Sequence, residues 1–190
     1  MKYVCRSILF LLFTSCSLLP EKKQEIDTVT STKTIDTPVI NYADTSDPLY
    51  INTGNTKPEE LVEYAETFIG TPYVYASTNP VVGFDCSGFI TYVFNHFNIT
   101  VPRSSVNFTD VPHEVPVKEA KPADLILFTG TDSTIRVVGH MGIVVYNANN
   151  ELLFIHATSG KKMGVTITPL NDYYKGRFVK VIRVFPQNGS

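Results

Sequence analysis

Residues 83–97 read "GFDCSGFITYVFNHF". Phe89, Ile90, Val93, Phe94 and Phe97 recur at three- and four-residue steps, the spacing of one face of a helix. Asp85 is the expected N-cap, because a short carboxylate can accept from the unpaired amides of a first turn. Cys86 then stands in that turn, where free N–H groups and the helix dipole favour a thiolate. Gly83 and Gly88 leave space around the sulfur for a substrate backbone. A free cysteine also fills core space well, so this motif alone leaves both a nucleophile and a packing residue open.

On the N-terminal side, "Thr56-Lys57-Pro58-Glu59" predicts a helix start, with Thr56 as N-cap and Glu59 closing a capping box. Leu61, Ala65 and Phe68, flanked by Val62 and Ile69, continue it as an apolar stripe that ends before Gly70 and Pro72. Beyond "VPRSS" the pattern changes to short β-type runs at residues 124–128, 142–146, 152–157, 165–168 and 178–185. Helices followed by strands on short turns predict an α+β domain over residues 56–190, with N-terminal helices packed on a mostly antiparallel sheet.

The 190 residues are 43% hydrophobic and carry no repeat, which suits one compact domain with tails. Residues 1–15 hold a basic start and a short apolar run from Ile8 to Phe13, too short to span a bilayer and read as an export signal. "Phe13-Thr14-Ser15-Cys16" resembles a bacterial lipobox, which would make Cys16 the lipidated first residue of the mature chain and a membrane anchor. Residues 16–55, polar and rich in Thr, Asp and Lys, read as a flexible tether. With Cys5 removed and Cys16 lipidated, Cys86 is the remaining thiol. Net charge is −2 for the whole chain, and nothing in its distribution points to nucleic acid.

A working thiol needs a base and a group to orient that base. Of the four histidines, His96 lies far along the Cys86 helix and His113 in a Pro-flanked loop. His140 opens one strand and His156 nearly closes the next. A three-residue loop in "NANN", pairing Tyr146 with Asn150, would set His140 opposite His156 on one face; an even loop would send one ring to the other face.

"GTPYVY", "GFDCSGF", "VPRSS", "ADLILF", "GHMGIV" and "FIHA" occur in the order found in the NlpC/p60 family of cell-wall cysteine peptidases, and residues 59–185 resemble that family throughout. The resemblance implies a papain-like fold with a five- or six-stranded sheet, Cys86 as nucleophile, His140 as base and His156 as its orienter. It implies that the Tyr73 hydroxyl joins the Cys86 amide at the oxyanion, and that Asp85, Ser87, Arg103 and Ser104 contact the peptide. No metal and no cofactor is called for. The expected substrate is the peptide of peptidoglycan, cut after D-glutamate or at the D-alanyl crosslink. The expected setting is the cell envelope, with a monomer lipid-anchored at the outer membrane and facing the periplasm. Departures from the family pattern are Ala76 and Ser77 where two glycines are usual, Phe108 in place of glutamine, and Ala123 in place of glycine. The rival readings are a Cys-His acyltransferase or lipid-amide hydrolase, which an elongated apolar groove would favour, and a non-catalytic wall-binding module.

Overall fold

The structure, a computed structural model, describes residues 49–189. The expected signal and tether, with Cys16, lie outside the described residues.

Helix α1 spans Pro58–Glu66, one residue later than the Thr56 cap predicts: Lys57 is the N-cap, with no side-chain capping bond. Proline has no amide to satisfy, so it suits the first helical position. Leu61, Val62 and Ala65 are buried as expected, whereas Ile69 is exposed. The chain then forms a small antiparallel ribbon of β1 (Thr78–Asn79) and β2 (Gly83–Phe84) before entering α2 (Cys86–His96). The Asp85 carboxylate caps α2 by accepting from the Gly88 amide at 2.5 Å. Phe89, Ile90, Val93 and Phe94 are each fully buried, so truncating either phenylalanine to alanine costs about 3–5 kcal/mol.

The sheet contains β3 (Glu114–Val115), β4 (Leu125–Thr129), β5 (Val138–Ala148), β6 (Glu151–Thr158), β7 (Gly164–Pro169) and β8 (Phe178–Ile182). Its order is β3-β8-β4-β5-β6-β7, and every pairing is antiparallel. Side chains alternate between two covered faces. Leu125, Leu127, Met141, Ile143, Ile155 and Ala157 share a core with α1 and α2. Ile126, Phe128, Val144, Phe154 and Val181 pack instead with Tyr174 of the short helix α3 (Asp172–Arg177). Burial on both faces is why "LILF" is apolar without interruption.

The β5–β6 hairpin departs from the three-residue loop. Ala148 pairs with Glu151 across a two-residue turn in which Asn149 and Asn150 take φ of 53° and 61°, the left-handed pair that such turns require. An even loop should separate the two histidines onto opposite faces, but the register shifts between Val144 and Tyr146, so that Val144 pairs with Phe154 and Ile143 with Ile155. One extra residue in β5 restores the shared face. The two histidines are therefore diagonal neighbours, not a directly opposed pair. Gly142 makes this approach feasible, since a Cβ there would lie 2.8 Å from a Phe154 ring carbon and 3.2 Å from the His156 Cβ.

Candidate active site

Cys86 is the first residue of α2 and is 9% exposed. Its Sγ lies 4.0 Å from the Gly139 carbonyl oxygen, and the Met141 amide also faces the sulfur. The thiol is thus packed on the backbone that flanks His140. Gly83 and Gly88 do not open space for a ligand as expected: a Cβ on Gly83 would collide with the Pro72 carbonyl, and one on Gly88 with the Ser77 carbonyl. These glycines let the chain's own 72–77 segment pass over the head of α2.

His140 Nε2 and His156 Nδ1 are 2.8 Å apart, and His156 Nε2 lies 3.0 Å from Thr168 Oγ1. Aromatic rings enclose this pair. The His140 ring has Phe128 at 6.0 Å and Tyr174 at 6.2 Å, and His156 has Phe154 at 4.7 Å and Tyr174 at 5.4 Å. Burial drives the His140 pKa well below its ordinary value, helped by His156 and by the positive charge of Arg177. Burial, then Arg177, lowers His156 to about 3. Both imidazoles are therefore neutral at pH 7. Arg177 itself is buried, with Nε and Nη2 donating to the carbonyls of Gly130 and Thr129 and Nη1 to the Tyr173 hydroxyl.

Burial also pushes the Cys86 thiol up, the Asp85 charge adds to this, and the amides of Ser87, Cys86 and Met141 oppose it. The helix head therefore does not hold a resting thiolate, because desolvation outweighs the first-turn amides. The sulfur is protonated at neutral pH and faces a neutral histidine strand.

A cleft of about 540 Å³ opens over the thiol. Tyr73, Asp85, Ser87, Arg103, Ser104 and Gly139 line it together with the thiol. Arg103 donates to Asp85 through Nη2 at 2.6 Å and Nη1 at 3.1 Å, and Nη1 also reaches Ser87 Oγ at 3.0 Å. Asp85 thus serves as helix cap and as arginine partner together. Tyr73 bridges to Phe84, which places it beside the helix head, and burial followed by the nearby Cys86 and Asp85 charges raises its hydroxyl pKa.

His96 is exposed and stacked on Tyr64 at 3.7 Å, and His113 is exposed with its Nε2 3.0 Å from the Tyr50 hydroxyl; neither joins the site. Sequence reading did not find Thr168, Arg177 or Tyr174. Thr168 is one of two threonines in "VTIT", and Arg177 and Tyr174 lie in the Tyr173–Arg177 stretch, where nothing marks them as neighbours of a histidine. The departures from the family pattern fit the backbone: Ala76 and Ala123 take φ of 59° and 71°, the conformation for which glycine is favoured.

A thiol at a helix head is packed on the strand that carries one of two hydrogen-bonded buried histidines, beneath a cleft lined by polar side chains. A sequence profile described as the NlpC/P60 family matches residues 70–183, and the chain belongs to that family. It is 36% identical over 125 residues to a gamma-DL-glutamyl hydrolase of Bacillus subtilis, covering 65% of this chain and 28% of that protein. It is 34% identical over 118 residues to a probable endopeptidase NlpC homolog of Haemophilus influenzae, covering 62% and 57%. Among solved structures, an NlpC/P60 family protein from Bacillus cereus superposes with a TM-score of 0.60 at 28% identity, covering 71% of this chain and 42% of that one. The NlpC/p60 domain of the peptidoglycan hydrolase SagA gives 0.54 at 26%, covering 67% and 99%. The chain thus spans between 28% and 57% of the length of these two curated relatives.

Proposed function

We propose that the protein is a cysteine endopeptidase of peptidoglycan peptides, with Cys86 as nucleophile, His140 as general base and His156 as its orienter. The single observation that carries this reading is the thiol packed on residues 139–141 beneath a cleft walled by Tyr, Ser, Asp and Arg side chains. A polar cleft suits a peptide and does not suit an acyl chain. Because His140 Nε2 is engaged by His156, Nδ1 is the ring nitrogen left to take a proton.

As the sulfur attacks the peptide carbonyl carbon, its proton passes to His140 Nδ1, and the carbonyl π electrons move onto oxygen. The Cys86 amide and the Tyr73 hydroxyl hold that oxyanion. The imidazolium then protonates the departing amine as the C–N bond breaks, leaving a thioester. Water, deprotonated by His140, attacks the thioester, and the carboxylic acid leaves with the thiol restored. Asp85, Ser87, Arg103 and Ser104, which line the cleft, bind the peptide, with Arg103 offering guanidinium hydrogens at a side chain 44% exposed.

Relatives named for a bond are named for a glutamyl one, gamma-DL-glutamyl and gamma-D-glutamyl-L-lysine. That supports cleavage after D-glutamate over the D-alanyl crosslink. A lipid on Cys16 and a tether over residues 16–55 would hold a monomeric domain at the outer membrane within the cell envelope.

The test is digestion of purified sacculi by the protein and by Cys86→Ala, read by mass spectrometry. Muropeptides truncated after the glutamyl residue, absent with Cys86→Ala, are expected. Intact muropeptides under reducing conditions, or equal release by both proteins, refute the reading. Cys16→Ser should free the protein from membranes; unchanged fractionation refutes the anchor.

A further inference from the structure

The Thr168 hydroxyl ends a line of buried nitrogens, and the geometry points to Thr168 as a positioning residue that sets which nitrogen of His140 is open to the thiol. This inference rests on the proposed role of His140 as base.

Proton counting carries it. Two neutral imidazoles have four ring nitrogens and two protons. The 2.8 Å contact between His140 Nε2 and His156 Nδ1 holds one proton. The other sits either on His140 Nδ1 or on His156 Nε2. On His140 Nδ1 it would block the only nitrogen free to take the thiol proton. On His156 Nε2 it leaves His140 Nδ1 with an open lone pair, and that N–H then needs an acceptor inside an aromatic enclosure.

Thr168 Oγ1, at 3.0 Å, is within reach to accept from that N–H. It stands on β7, the edge strand of the sheet, on the residue that pairs with Phe154. Thr168 is only partly buried, so its own O–H can turn to solvent while a lone pair serves the imidazole. The same tautomer serves throughout turnover. When His140 takes a proton at Nδ1, its Nε2–H still points at His156 Nδ1, and no proton has to move along the line.

The experiment uses the full chain with Thr168→Val, which keeps the shape and removes the oxygen, and Thr168→Ser, which keeps the hydroxyl. Nitrogen-15 spectra of histidine-labelled protein report the protonation of each ring nitrogen. In the unmutated protein His140 Nδ1 and His156 Nδ1 should be unprotonated, and His140 Nε2 and His156 Nε2 protonated. Thr168→Val should move protons toward His140 Nδ1, and Thr168→Ser should restore the original pattern. An unpaired buried N–H lowers kcat on sacculi about ten- to a hundred-fold in Thr168→Val, with KM unchanged and recovery in Thr168→Ser. Should valine fail to fold at this position, Thr168→Ala gives the same two readouts.

A wild-type tautomer pattern in the oxygen-free variant overturns the proposal, as does a protonated His140 Nδ1 in the unmutated protein. Failure of the endopeptidase reading looks different: unmutated protein leaves sacculi intact whatever the spectra show.

Discussion

The two buried histidines make the domain unusually sensitive to acid, by an amount that follows from their placement. Each imidazole is neutral in the fold, His156 with a pKa of about 3 and His140 well below its ordinary value, whereas both take up a proton near pH 6.5 once unfolded. Because the folded values are depressed, their contribution to stability is fully present above pH 6.5 and is lost as pH falls through that value. The loss proceeds at up to about 1.4 kcal/mol per pH unit for each ring. Summed down to pH 5 this is about 2 kcal/mol for His156, with His140 adding in the same direction, a sizeable part of the 5–15 kcal/mol of an ordinary domain. Urea unfolding at steps from pH 7.5 to 5 measures it, with the double variant His140→Asn/His156→Asn as reference so that carboxylates, His96 and His113 cancel. The stability difference between the two proteins should shift by at least about 2 kcal/mol over that range, against the unmutated protein at low pH. A difference that stays constant would refute neutral burial of the pair. The thiol does not confuse the comparison, because its pKa is raised and it stays protonated throughout.

Two further outcomes separate the roles of neighbouring groups. Asp85→Asn keeps a capping side chain but removes the charge that pairs with Arg103 and raises the thiol pKa. With Arg103 44% exposed, solvent screening limits the stability loss to about 1 kcal/mol, or about 2–4 °C in Tm. Alkylation of Cys86 by iodoacetamide at pH 7.5, followed by peptide mass spectrometry, should become faster; an unchanged or slower rate would remove Asp85 from the account of the thiol. Ala76→Gly relieves an exposed left-handed alanine at φ 59°, offset in part by the added freedom of glycine in the unfolded chain. A gain of about 0.5–1 kcal/mol in urea unfolding is expected, and a loss would show that the alanine methyl is held by contacts.

Local chemistry explains what was legible without coordinates. The head of α2 could be read because Asp85, Cys86 and Gly88 are within one turn, and a carboxylate two or three residues before a free amide has few other places to go. The strands could be read from apolar runs, and Cys86, His140 and His156 from their place at the ends of such elements. Their chemistry could not. The turn at Asn149 and Asn150 is even, and the shared face of the histidines rests on an extra residue near Val145, a choice that differs little in local energy but reverses every side chain beyond it. Likewise the sign of the Cys86 shift followed from burial, and the neutrality of the imidazoles from Phe128, Phe154, Tyr174 and Arg177, which reach them from other strands and from α3. Residue order by itself determined the elements and which side chains stand at their ends, because caps and periodicity act over a few residues. The tertiary structure alone decided protonation and pairing, because desolvation and hydrogen bonding at 3 Å depend on groups that the chain brings together from far apart.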